Sequence, residues 1–167
     1  EQLIAIHTAT GQEIWSVDVG NGSHSNGTPT VDGNRVYAIG LQGNLVCADT
    51  SSGEIIWQKN FSQDFGGEMM SGWGYSESPL IDGQQLICSP GARNAMLVSL
   101  DKETGAERWR AAVPDYGDRG TNGAGYSSVV ISEAAGVKQY VQLTGQGVIG
   151  IRARDGHFLW GYNDVAN

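Results

Sequence analysis

A glycine stands four residues before a tryptophan at four places in this chain: Gly11 and Trp15, Gly53 and Trp57, Gly105 and Trp109, Gly156 and Trp160. An alternating apolar run precedes each glycine, as in Leu45-Val-Cys-Ala48. The tryptophans are 42, 52 and 51 residues apart, and only Trp73 of the five lies outside the pattern. Self-similarity at such a period means stacked supersecondary units, and it excludes most single-core folds at once.

Each copy has a local physical reading. The run before the turn and the run ending in Trp alternate as strands do. Between them a polar turn closes on Gly, which reaches positive φ without a Cβ clash. Each copy is therefore a β-hairpin. A large aromatic recurring on the second strand has to be buried against something. Four equivalent tryptophans suit four equivalent packing contacts, where one catalytic centre has no use for four. Gly11, Trp15, Gly53, Trp57, Gly105, Trp109, Gly156 and Trp160 are thus expected to be structural.

A second kind of hairpin alternates with the first. Thr28-Pro-Thr-Val-Asp-Gly runs through a turn into Arg35-Val-Tyr-Ala-Ile39, and Ser78-Pro-Leu-Ile-Asp-Gly into Gln84-Gln-Leu-Ile-Cys88.

 The two segments correspond position for position, with Pro29 matching Pro79 and Asp32-Gly33 matching Asp82-Gly83. A third version runs from Ser127 through a longer turn, Glu133 to Gly136, into Val137-Lys-Gln-Tyr-Val. Proline at a strand start is tolerated because no ladder donor is needed there.

Half a unit and three full four-stranded units follow: 1–19, 28–60, 78–111 and 127–162, in one partial domain spanning 1–167. The tail Gly161 to Asn167 reads as a loop leading onward. A four-stranded antiparallel unit repeated radially is a propeller blade. The fold class is therefore all-β, a β-propeller segment. Glycine, 25 of 167 residues, fits many short strands joined by tight turns. No Trp-Asp ends a strand and no regular Gly-Gly pair occurs, which disfavours the WD and kelch classes.

The segments Thr8-Ala-Thr-Gly-Gln-Glu-Ile-Trp15, Ala48-Asp-Thr-Ser-Ser-Gly-Glu-Ile-Ile-Trp57 and Leu100-Asp-Lys-Glu-Thr-Gly-Ala-Glu-Arg-Trp109 resemble the tryptophan-docking motif of pyrroloquinoline quinone (PQQ) repeat propellers. That motif is roughly Ala-x-Asp-x-x-Thr-Gly-x-x-x-Trp. His7 replaces its Asp in the first copy, and Asp155 its Thr in the fourth. The resemblance covers nearly the whole chain. It implies a periplasmic or extracellular location. It also implies one of several roles, since the family holds quinoprotein alcohol and glucose dehydrogenases, non-catalytic scaffolds such as the lipoprotein of the outer-membrane barrel-assembly machinery, and exported bacterial proteins of unknown role. Gly72-Trp-Gly-Tyr-Ser-Glu-Ser-Pro-Leu80 looks most like the last group. Family propellers close with about seven or eight blades, so a longer protein is expected, and an open edge invites self-association.

The alcohol-type dehydrogenases of the family carry adjacent cysteines against PQQ and hold calcium with Glu, Asn and Asp. Cys47 and Cys88 are not adjacent, and both fall in apolar runs, where buried free thiols are expected. PQQ and calcium are implied only on the dehydrogenase reading. His7, His24 and His157 are scattered and make no zinc set. A net charge of −8, from 10 basic and 18 acidic residues, argues against nucleic acid and against an anionic membrane surface. No apolar run is long enough to cross a membrane.

Strands that alternate up and down bring the inter-blade loops to one rim, and long loops on one rim are where binding lives. The loops Asn60 to Glu77 and Ala112 to Tyr126 carry the candidate ligand-binding residues Trp73, Tyr75, Glu77, Asp118, Arg119, Asn122 and Tyr126; Arg93 comes from a loop within a blade. Trp73 and Tyr75 suit stacking on a planar ligand or a sugar. Glu77 and Asp118 are candidates for a carboxylate pair, and Arg93 and Arg119 for an anion or for local acids. No catalytic set is recognisable among them. The expected role is a non-catalytic scaffold binding a protein or small ligand; a quinoprotein dehydrogenase and a carbohydrate-binding module are the alternatives.

Overall fold

The computed structural model describes residues 1–24 and 26–166; Ser25, in the Gly20 to Gly27 loop, and Asn167, at the end of the tail, lie outside the described residues. Strands β1 (Gln2–Ile6) and β2 (Glu13–Asp18) form a two-stranded sheet. Three four-stranded antiparallel meanders follow, each in chain order: β3 (Thr30–Asp32), β4 (Arg35–Ile39), β5 (Asn44–Asp49) and β6 (Ile55–Asn60); β7 (Leu80–Asp82), β8 (Gln85–Cys88), β9 (Leu97–Asp101) and β10 (Glu107–Ala111); β11 (Val130–Ala134), β12 (Val137–Thr144), β13 (Gly147–Arg152) and β14 (Phe158–Tyr162). Half a blade and three blades are thus present, each a separate sheet. We number the half-blade 1 and the full blades 2, 3 and 4.

The motif turn shows why its residue types recur. In blade 2 the Asp49 carboxylate accepts the Ser51 and Ser52 amides at 2.8 and 3.2 Å, and the Gly53 amide donates to the Asp49 carbonyl at 2.9 Å. Asp101 does the same for Glu103, Thr104 and Gly105. In the first copy the His7 ring takes over part of this task, its Nδ1 accepting the Ala9 amide at 3.3 Å. Side chains that bond nearby backbone amides hold a turn that the backbone alone leaves open. The Ser51 hydroxyl and then the turn amides pull the Asp49 carboxyl below its ordinary range, and the Arg108 guanidinium, ahead of the turn donors, does the same for Asp101.

Packing between sheets, rather than within one, makes the core. One apolar layer joins the half-blade to blade 2 through Leu3, Val19, Val36 and Val46. A second joins blades 2 and 3 through Tyr37, Cys47, Trp57, Leu86 and Leu100. The third joins blades 3 and 4 through Ile87, Leu97, Tyr140, Ile149 and Ile151. Tryptophan and glycine meet across each layer. A methyl group on Gly53 would stand 2.7 Å from the Trp15 ring, and one on Gly105 would stand 2.8 Å from Trp57. The glycine therefore serves twice, as the positive-φ turn residue (φ +74 at Gly53) and as the flat seat for an indole.

Polar contacts repeat with the blades as well. The Thr28 amide donates to Ser78 Oγ at 3.0 Å, and the Ser78 amide to Ser128 Oγ at 2.8 Å. Asp82, in the Asp-Gly turn of blade 3, pairs with Lys138 on β12 of blade 4 at 2.6 Å, and Asp32, in the equivalent turn of blade 2, pairs with Lys102 from the motif turn of blade 3. Blades 2 and 3 are thus each tied to the next blade at the inner strand and at the Asp-Gly turn.

Two local features differ from the expectation. The turn opening blade 4 is not longer than the others: Ala134 pairs with Val137, leaving only Ala135 and Gly136 between the strands. Both have positive φ, 51° and 73°, the requirement of a tight turn that matches strand twist. Ala135 is the one non-glycine residue at positive φ among those described. Asparagine accepts that region more readily, so Ala135→Asn should stabilise the protein by about 0.5–1 kcal/mol. Urea unfolding checks this; a destabilised variant would contradict the turn geometry.

The second difference lies in the stretch expected to be loop from Asn60 onward, which begins with a one-turn helix, α1 (Phe61–Phe65). Asn60 caps it, its side chain accepting the Gln63 amide at 3.0 Å, and Gly66 ends it in the left-handed region. Five residues are too few to show helical periodicity in the sequence. Phe61 and Phe65 are both buried, so the helix anchors the loop to blades 2 and 3.

Candidate functional site

Helix α1 launches a loop layer that spans three blades on one rim. Its backbone is held from both sides. The Ala124 amide donates to the Glu68 carbonyl at 2.9 Å, and the Met70 amide to the Ala124 carbonyl at 3.1 Å. The Gly145 amide then donates to the Gly123 carbonyl at 3.0 Å, joining the 112–126 loop to blade 4. Side chains reinforce the seam. Thr121 Oγ1 donates to the Met70 carbonyl at 3.1 Å, Asn122 Nδ2 donates to Glu68 Oε1 at 2.5 Å, and the Tyr126 hydroxyl meets Ser71 Oγ. Two segments about 55 residues apart in sequence form one surface.

Trp73 stands on that surface with 74% of its area exposed. Its carbonyl accepts Asn26 Nδ2 at 3.4 Å, which places it beside the loop that enters blade 2. Tyr126 is partly exposed on the same layer. Asn122 is half-buried in the seam, and Asp118 is exposed. Arg119 reaches Asp164 at 3.3 Å, while its backbone exchanges hydrogen bonds with the Asn163 side chain. Arg93 pairs with Asp115 at 2.5 Å, both well exposed. The two arginines thus answer local acids, and exposed pairs of this kind contribute ~0–1 kcal/mol each.

Two of the expected surface residues lie inside the protein. Tyr75 is buried, edge-on to Phe61 with ring centroids 5.0 Å apart, and its hydroxyl donates to the Pro90 carbonyl at 2.9 Å. It anchors the loop from below and offers no stacking surface. Glu77 is only 3% exposed. Its Oε1 accepts the Ser89 amide at 2.7 Å, and its Oε2 has no hydrogen-bond partner. Burial pushes its carboxyl up to about 8, against the smaller opposing effect of the Ser89 amide. Glu77 is buried at this corner while Asp118 is exposed, so the two do not form the expected carboxylate pair.

Glu77 occupies a crowded corner. It immediately precedes Ser78, whose amide and hydroxyl make the bonds to blades 4 and 2 described above. The Glu77 carbonyl also lies so close to Gly27 that a methyl group there would approach it to 2.5 Å. Cys47 and Cys88 are free, buried thiols in the layer between blades 2 and 3, and burial raises both above the ordinary thiol range. Among the described residues no three His, Cys, Asp or Glu side chains gather as a metal set, and no helix is long and apolar enough to cross a membrane.

Stacked four-stranded blades seated tryptophan-on-glycine, with a loop layer on one rim, define a PQQ-repeat propeller. Residues 1–166 match the family model described as outer membrane protein assembly factor BamB, and the chain belongs to that family. The outer membrane protein assembly factor BamB of Alteromonas naphthalenivorans is 27% identical over 110 residues, covering 60% of this chain and 26% of that protein. The match thus spans about a quarter of the curated relative. Among solved structures, BamB from Moraxella catarrhalis superposes with a TM-score of 0.70 at 16% identity, over 99% of this chain and 47% of that one. The quinohemoprotein alcohol dehydrogenase of Comamonas testosteroni superposes at 0.67 with 18% identity, over 98% of this chain and 32% of that one. At such identities both superpositions speak for the fold.

Proposed function

We propose that this chain is a non-catalytic docking module of an exported bacterial protein, and that its loop layer holds another protein in the periplasm. The observation that carries this reading is Trp73, three-quarters exposed on a backbone tied down on both sides. An exposed aromatic on a rigid support loses little freedom on binding, and tryptophan is prominent among residues that dominate protein interfaces. Tyr126 and the half-buried Asn122 extend the patch with polar groups suited to a rim. The names of the relatives support the same direction, since they are assembly factors for outer membrane proteins. On this reading the partner is a component of an outer-membrane assembly machine.

A photo-crosslinking residue at position 73, in the protein expressed in the periplasm, tests this. It should capture a discrete partner, and the same probe at exposed Asp118 should capture less. Trp73→Ala should abolish recovery of that partner while changing stability by no more than about 0.5 kcal/mol, as surface substitutions do. Undiminished recovery from Trp73→Ala would remove the proposal. Dye-linked alcohol or sugar oxidation that requires added PQQ and calcium would replace it with the dehydrogenase reading. The carbohydrate reading relied on Trp73 with Tyr75, and Tyr75 is buried.

A further inference from the structure

The motif turn of blade 4 carries charges opposite to those of blades 2 and 3. The carbonyls of Asn34, Gln84 and Lys138 accept the amides of Thr50, Lys102 and Ala153 respectively, so these positions correspond blade by blade. Counted back from the motif glycine, Asp49 and Ser51 of blade 2 match Asp101 and Glu103 of blade 3, and Arg152 and Arg154 of blade 4. Asn34, Asp49 and Ser51 thus become Gln84, Asp101 and Glu103, and then Lys138, Arg152 and Arg154. Turn folding does not call for the change. The motif aspartate holds turn amides in blades 2 and 3, and Arg152 cannot. The Gly156 amide still reaches the Arg152 carbonyl at 3.0 Å, and Asp155 accepts the His157 amide at 3.2 Å.

Lys138, Arg152 and Arg154 line a groove of about 390 Å³ between blades 3 and 4, with Asp82 and Gln85 of blade 3. Both walls are full four-stranded blades. The Asp-Gly and motif turns lie at the end of each blade away from the inter-blade loops, so the groove opens on the rim opposite Trp73. Lys138 pairs with Asp82 at 2.6 Å. Arg152 and Arg154 each give Asp155 only their Nε, at 2.8 and 3.4 Å. Among the described residues, neither terminal nitrogen of either guanidinium donates a hydrogen bond to the protein. Gln85 Oε1 is taken by Ser99 Oγ at 2.7 Å and by the Trp109 indole at 3.2 Å, which leaves its Nε2 to donate. The groove is therefore rich in unused donors. Exposed ion pairs are weak and give way to a ligand. Three of the ten Lys and Arg gather here although the net charge is −8, so attraction for anions is local to this groove.

We propose that this groove docks an acidic segment of a partner protein, its carboxylates held end-on by Arg152 and Arg154 and by Lys138. A guanidinium offers parallel N–H donors that match a carboxylate, and clustered arginines are a recurring reader of acidic motifs. Asp82 and Asp155 stand among the cations. They penalise one compact dianion and leave separated positive positions, which suits single negative charges spaced along a chain. The groove acts independently of what the loop layer on the other rim binds.

Fluorescence anisotropy of a labelled hexaglutamate peptide, titrated with the 167-residue chain, tests this. The peptide should bind, and bind less tightly as sodium chloride is raised. Arg154→Gln and Arg152→Asp should each weaken it at least about tenfold, the effect of losing one charge-assisted hydrogen bond. Arg152→Asp restores the residue type of Asp49 and Asp101, so this variant should keep its fold, verified by circular dichroism. Lys59→Gln, which removes an equal charge at the end of β6 in blade 2, should leave binding unchanged. No binding, binding indifferent to both groove variants, or an equal loss in Lys59→Gln would overturn the docking site. Inorganic phosphate that displaces the peptide as well as free hexaglutamate does would mark a small-anion site and overturn the acidic-segment assignment.

Discussion

Trp57→Ala should destabilise the protein by about 3–5 kcal/mol, the range for truncating a buried large aromatic. Three losses combine. The ring is buried between blades 2 and 3, and its removal leaves a cavity over Gly105, which has no side chain with which to fill it. The indole N–H donates to the Lys102 carbonyl at 3.0 Å, a bond made only across the boundary. The ring also packs against Tyr37, with centroids 6.0 Å apart. Tyr37 keeps its own bond to the Lys102 carbonyl at 3.2 Å, so that acceptor stays satisfied and the cost is mainly packing. Trp160→Ala supplies the contrast. Its ring lies against Gly150 of its own sheet and is 37% exposed, with no motif glycine of another blade seated against it among the described residues, so the loss should be well under half as large. Urea denaturation of the two variants gives the comparison. Equal losses, or a Trp57→Ala melting temperature within a degree or two of the parent, would sink the docking role.

That prediction was accessible from sequence because the contact is encoded locally and then repeated. Asp49, Gly53 and Trp57 lie within nine residues, and the turn geometry, seat and indole follow from their types. The inner-strand bonds had a weaker signal of the same sort: Thr28, Ser78 and Ser128 recur 50 residues apart, and two of these hydroxyls receive the amide of the preceding blade. The site is a different matter. Tyr75 and Trp73 are two residues apart in one loop, yet one is buried and the other exposed. What separates them is Phe61 beneath Tyr75, placed there by a helix too short to announce itself. The pairing of the 61–77 loop with the 112–126 loop is likewise non-local and occurs once. No period marks it, and no propensity specifies which carbonyl Ala124 will find. Non-repeated loops carry whatever is particular to this protein, and they are where residue-by-residue reading is weakest.

Glu77→Gln should stabilise the protein by about 3–4 kcal/mol at pH 8 and by little at pH 4, because a buried carboxyl ties folding to pH. Burial raises the Glu77 carboxyl to about 8 in the folded chain. In the unfolded chain it titrates near the ordinary glutamate value of about 4.3. The folded state therefore binds one more proton between those limits. Its contribution to stability is fully present below the unfolded value and drains away as pH rises to about 8, where the unfolded chain holds a solvated carboxylate that the folded chain has to desolvate. Glutamine keeps the shape, still accepts the Ser89 amide and does not titrate, so the variant should lack this slope. Glu77→Ala should also lack the slope but lie below Glu77→Gln at every pH by about 1–3 kcal/mol, because it orphans the Ser89 amide, which Glu77 now accepts at 2.7 Å. Urea unfolding of the three proteins at several pH values separates these outcomes; parallel curves for parent and Glu77→Gln would mean that the carboxyl is not held protonated. The equivalent positions in blades 2 and 4 are Gly27 and Ser127, neither of which titrates, so blade architecture does not require an acid there. The slope should therefore belong to Glu77 alone and not to the repeat, and it arises four residues after the exposed Trp73.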